Sequence, residues 1–120
     1  MSRGFRLASF ADAGRGLAAL FSEANARVQL AAALAAVGLG VWLQLDPRDW
    51  ALVGLAIGLV LSAEAANTAL EALADRVAPD PHPLVARAKD VAAGGVLIAS
   101  IAAVLVGLLV FGAPLWRRLF

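Results

Sequence analysis

Three stretches of this chain carry no ionisable side chain: Val28 to Leu45, Trp50 to Ala63 and Val91 to Trp116. In a sequence of only 120 residues, that pattern leaves few architectures open. The hydrocarbon core of a bilayer is about 30 Å thick and takes about 20 apolar residues of helix to cross. Every backbone amide inside it must be satisfied within the protein, which a helix does by itself. The first stretch, 18 residues, is just long enough, and the third, 26 residues, has length to spare. The second is 14 residues and spans only if its helix continues through Glu64 toward Ala74. With 62% hydrophobic residues, 16% charged residues and a mean hydropathy of +0.82, the composition excludes an ordinary water-soluble domain. The expectation is an all-α membrane protein in a single domain, 1–120, with membrane helices over about 28–45, 50–75 and 86–112.

The residues before the first stretch read as a further helix, over about 8–26. At about 100° per residue, Phe10, Ala13, Leu17, Leu20 and Phe21 share one arc, and Asp12, Arg15, Ser22 and Glu23 lie opposite. That is an interfacial amphipathic helix rather than a cleavable leader, whose basic region would run straight into its apolar core. "DPRD" (46–49) reads as a tight turn and "APDPHP" (78–83) as a proline-stiffened loop that must end the second span. His82 falls in that loop. Of the ten Lys and Arg residues, seven (Arg3, Arg6, Arg15, Arg27, Arg76, Arg87 and Lys89) fall on the side of the N terminus. Three (Arg48, Arg117 and Arg118) fall on the other. This places the N terminus in the cytoplasm, against the pull of the two tail arginines. No cysteine is present, and a net charge of +1 gives no nucleic-acid footprint.

The continuation of the second stretch, "EAANTALEALAD", is where the chemistry lies. On one helix Glu64, Asn67, Glu71 and Asp75 fall within an arc of about 80° over three turns. A helix merely leaving the bilayer would scatter its charge and favour Lys and Arg, which can snorkel. Short carboxylates on one face call for a counter-charge, and the sequence offers Lys89, next to Asp90, or a divalent cation bound through oxygen. Glu23 is a further acid for the same surface, or else pairs with Arg27 four residues on. Acids, an amide and a lysine at one water–lipid boundary suit cation-assisted phosphoryl transfer to a lipid headgroup, and equally a proton site. Neither a Walker A sequence nor a kinase glycine loop is present.

Four segments resemble the small prokaryotic integral-membrane lipid kinases, the diacylglycerol kinase and undecaprenol kinase family. "SFADAGRGL" is similar to that family's opening element, "SEANARVQ" to the start of its first span, and "EAANTALEALAD" and "HPLVARAKDVAAGGVLIASI" to its two signature stretches. The resemblance runs from about Phe10 to Phe111. It implies a homotrimer in the bacterial cytoplasmic membrane, with active sites between neighbouring subunits on the cytoplasmic side. It implies ATP- and Mg²⁺-dependent phosphorylation of a lipid alcohol. "NTA" and "HPL…AKDVAAGGVL" look more like the undecaprenol branch than the diacylglycerol branch. Carried over residue by residue, Glu64 would be the general base and Glu23 and Glu71 the metal ligands. Lys89 would be the cation on the nucleotide phosphates, with Glu23, Glu71, Asn67, Asp75 and Asp90 completing the ATP site. Where the family places an aromatic or long polar residue before "GL", this chain has Arg15 and Gly16, so the adenine contact has no assigned residue. The rival class is a small proton-coupled transporter subunit that uses the same acids for proton movement.

Overall fold

The computed structural model describes residues 7–120. Arg3 and Arg6, two of the arginines in the orientation count, lie outside the described residues. The rest form four helices and no strand: α1 (Leu7–Leu20), α2 (Ala24–Leu43), α3 (Pro47–Val77) and α4 (Pro83–Leu119). Helices α2, α3 and α4 are each long and apolar enough to cross a membrane. The expected all-α architecture of one short amphipathic helix and three long apolar ones is the observed one.

Short connections make consecutive long helices antiparallel. α2 ends in a Schellman arrangement, with Gln44 in the left-handed region (φ 56°). The Gln44 N–H donates to the Val41 carbonyl and the Leu45 N–H to the Gly40 carbonyl, both at 3.2 Å. Asp46 then caps α3, its carboxylate accepting from the Asp49 N–H at 2.8 Å, and Pro47 supplies the fixed φ of a first helical residue. At the far end Val77 closes α3, and three prolines, Pro79, Pro81 and Pro83, carry the chain to α4. His82, expected to be a plain loop residue, is the N-cap of α4: its Nδ1 accepts from the Leu84 N–H at 3.1 Å.

The first expected helix, 8–26, is instead two. α1 stops at Leu20, and Glu23 is the extended N-cap of α2 (φ −80°, ψ 137°), without a side-chain capping bond. Glu is a good helix former, but propensity is a weak prior, and a chain passing from one helix axis to another needs an extended residue somewhere. α4 also outruns its expected limits of 86–112. Its 37 residues make about 55 Å of helix, close to the 56 Å length of the molecule, and it continues through Pro114. Beyond that proline, Arg118 anchors the last turn by donating to the Trp42 carbonyl at 3.0 Å and lying 5.0 Å from the centre of the Trp42 ring. Since the helix is longer than the hydrocarbon core by about 25 Å, its ends project past it.

Few side chains are enclosed by this arrangement. Leu20, Ala26, Val53, Ala99 and Val110 are buried, as is one charged residue, Glu64, while Leu55, Leu97, Ile98 and Leu109 stand more than half exposed. In water such a surface would be a liability; against lipid it is the expected exterior. α3 packs most extensively on α4, with α2 alongside. The close approach of α2 and α3 near their shared turn depends on Gly40, where an added Cβ would lie 2.8 Å from the Trp50 ring and 3.0 Å from Leu45 Cδ1. An indole is rigid and cannot fold away. Gly40→Ala should therefore lower stability by about 1–3 kcal/mol, as overpacking does. Thermal unfolding in micelles checks this, and the loss should shrink when Trp50→Leu is added; an unchanged midpoint for Gly40→Ala would refute the close packing.

Candidate functional site

α3 runs without interruption from Pro47 to Val77, so Glu64, Asn67, Glu71 and Asp75 do share one face. Their exposure grades along it. Glu64 is 4% exposed, Asn67 is half-buried, and Glu71 and Asp75 are exposed. The gradient spans 11 residues, or about 16 Å of helix.

Two hydrogen bonds join this face to its neighbours. At the buried end Gln29 of α2 donates from Nε2 to Glu64 Oε2 at 3.3 Å. At the open end Lys89 of α4 donates to Asp75 Oδ1 at 2.6 Å. Lys89 is thus the counter-charge that the stripe calls for. Because α2 and α3 are antiparallel and rise equally per residue, the Gln29–Glu64 contact sets their register. Six residues back from Gln29 is Glu23 and seven forward from Glu64 is Glu71, which brings those two exposed acids to nearly the same height. Glu23 makes no pair with Arg27: the two ion pairs among the described residues are Lys89–Asp75 and Arg15–Asp12. Asp90, beside Lys89, is exposed. Among the described residues no three acids or histidines come close enough to hold a metal ion within one chain.

Among the described residues, two buried side-chain oxygens have no hydrogen-bond partner: Gln29 Oε1 and Asn67 Oδ1. Below Gln29, an apolar groove of about 300 Å³ descends between the three long helices, lined by Ala33, Ile57, Leu61, Ser100 and Phe111 among others. The site therefore has two characters. Its deep end offers a buried carboxylate hydrogen-bonded to Gln29, the amide that lines the head of the apolar groove, suited to a hydroxyl group that stays in lipid. Its open end offers acids and a lysine in water, suited to a charged, soluble ligand and its counter-ions.

Sequence reasoning passed over Gln29. The signal was present, since Gln29 is a polar side chain at the start of an uncharged stretch, where polar groups are expensive and often functional. In the sequence it figures only as part of the uncharged window and as the last residue of "SEANARVQ", with no role assigned.

A family model described as prokaryotic diacylglycerol kinase matches residues 11–111. The undecaprenol kinase of Bacillus subtilis (strain 168) is 38% identical over 104 residues, covering 86% of this chain and 85% of that protein. The diacylglycerol kinase of Escherichia coli (strain K12) is 40% identical over 88 residues, covering 73% and 72%. The diacylglycerol kinase of a Synechocystis strain is 39% identical over 103 residues, covering 84% of this chain and 59% of that longer protein.

The Lys89–Asp75 pair is open to solvent, with side-chain exposures of 36% and 69%. Solvent screens such a pair, so it adds little to stability. Asp75→Asn should accordingly leave the thermal midpoint nearly unchanged. A marked drop in micelles would mean that the pair holds α3 to α4 rather than serving a ligand.

Proposed function

The chain belongs to the prokaryotic diacylglycerol kinase family of membrane lipid kinases, and from that premise we propose that it transfers the γ-phosphoryl group of ATP to the hydroxyl of a membrane lipid alcohol. Undecaprenol is the favoured acceptor and diacylglycerol the second. The motifs "NTA" and "HPL…AKDVAAGGVL" lean to the undecaprenol branch. The observation that carries the mechanism is the exposure gradient along α3: one buried carboxylate, Glu64, two turns inside two exposed ones.

On this reading Glu64 takes the proton of the lipid hydroxyl. The lipid oxygen then bonds to the γ-phosphorus while the bond to the β–γ bridging oxygen breaks, leaving ADP and the lipid monophosphate. Lys89 meets the nucleotide phosphates, with Asp75 holding its ammonium and Asn67 and Asp90 completing the polar wall. Carboxylate and amide oxygens are hard ligands, so the donor set fits Mg²⁺. Glu23 and Glu71 would hold it, and Asn67, whose buried Oδ1 has no partner, stands one turn from Glu71 on α3. Bound there, the ion would offset charge on the ATP phosphates. A homotrimer in the cytoplasmic membrane, N terminus inside and α1 along the interface, completes the proposal. The resemblance of the four motif segments to the family supports it.

An acceptor panel with radiolabelled ATP in lipid micelles tests the function. Undecaprenol should be phosphorylated faster than diacylglycerol, and activity on neither would sink the lipid reading. Glu64→Gln should bind MgATP almost normally yet lose at least about 100-fold in turnover, the scale of removing a positioned base. Lys89→Ala should instead weaken nucleotide binding. Equal loss of ATP affinity in both variants would move Glu64 into the nucleotide site. Glu71→Gln should abolish turnover and blunt the Mg²⁺ dependence while leaving the fold intact; full rate at low Mg²⁺ would exclude Glu71 as a ligand.

A further inference from the structure

Glu64 touches α2 through a single described hydrogen bond, and its partner is an uncharged amide with one atom left unused. An ionised carboxylate only accepts hydrogen bonds, whereas a protonated one has an O–H to donate. A base that cycles between the two forms in a buried place needs a partner for each, because an unsatisfied polar group there is costly. Gln29 carries both halves. Nε2 donates to Glu64 Oε2 at 3.3 Å, and Oε1 is buried with nothing to accept from. Rotation about the last torsion exchanges the two atoms.

The surroundings offer little else to do this. On α3, Asn67, one turn from Glu64, carries an amide of the same kind, but no hydrogen bond joins it to Glu64, whose side-chain partner is Gln29. The nearest charged group on that face is Glu71, about 10 Å along the helix. On α2 the nearest charge is Arg27, exposed and two residues from Gln29. α4 carries no ionisable group between Val91 and Trp116, and the Lys89–Asp75 register sets Ser100 level with Glu64.

We propose that Gln29 is a positioning residue for Glu64: its amide N–H aims the ionised carboxylate at the lipid hydroxyl, and the same amide, turned over, receives the O–H once Glu64 has taken the proton. This rests on Glu64 being the base. Gln29→Met keeps the length and shape of the side chain and removes both hydrogen-bonding atoms. It should lower kcat for lipid phosphorylation at least about tenfold, as loss of orientation does, with MgATP affinity unchanged and a lower thermal midpoint, since buried Glu64 loses its partner. Gln29→Asn, an amide too short to reach, should behave the same way. The discriminating measurement is the cycle with Glu64→Gln. Without the base, adding Gln29→Met should cost less than about twofold more, because residues acting as a unit are not additive. A wild-type kcat for Gln29→Met, the same fold loss in both backgrounds, or failure of both Gln29 variants to fold would overturn the proposal. Full turnover by Glu64→Gln would remove the base and this inference together, whereas an inactive Glu64→Gln beside a normal Gln29→Met overturns the inference alone.

Discussion

A single carboxylate buried among membrane helices sets the terms for the rest of the molecule. Glu64 is 4% exposed on a helix whose other buried residue is Val53. Such a group persists in an apolar setting only with a hydrogen-bond partner, and α2 supplies one in Gln29. Once Gln29 and Glu64 are level, the constant helical rise leaves no freedom elsewhere. Glu23 comes level with Glu71 at one end, and Gly40 comes within about a turn of Trp50 at the other, where the missing Cβ lets the indole in. Lys89 and Asp75 do the same for α4, bringing Ser100 to the height of Glu64 and onto the wall of the groove that Gln29 heads.

The two ends of the bundle resolve a conflict in the charge count. Arg117 and Arg118 lie on the side that the positive-inside rule leaves poor in basic residues. Arg118, however, is already engaged: it donates to an end carbonyl of α2, which has no helical partner of its own, and stacks over Trp42. Trp116 packs against Phe120 one turn beyond, with ring centres 4.6 Å apart. An aromatic and arginine-rich collar of this kind suits a membrane–water boundary on either side. The position of Arg118 therefore follows from closing α4 onto α2 past Pro114, and its weight as an orientation signal is correspondingly small.

Most of the architecture was legible because the membrane imposes a length test that uncharged windows pass or fail. The second span passed only by running through Glu64, and that necessity located the acid stripe on one face before any coordinates. What was not legible were features that depend on two elements at once. Glu23 has a helix-forming side chain, and only the change of axis between α1 and α2 makes it a cap. Pro114 looks like a terminator, and only the anchor at Trp42 explains a helix that continues past it. Gln29 lies 35 residues from its partner, beyond the reach of periodicity on any one helix.

Placing the whole stripe on one helix has a consequence for how two unlike substrates could meet. A lipid alcohol cannot leave its leaflet, and a nucleotide triphosphate cannot enter hydrocarbon, so a group serving both must lie where one environment gives way to the other. α3 covers that transition within about 16 Å, from enclosed Glu64 to solvent-exposed Asp75. A rigid helix keeps the spacing between the two ends constant, which loops would not. The proposed division of labour follows from depth: identical carboxylates become a base at the buried end and ion or phosphate partners at the open end because water reaches one and not the other. Chemistry at such a site is then governed less by which acids are present than by how far along α3 each one stands.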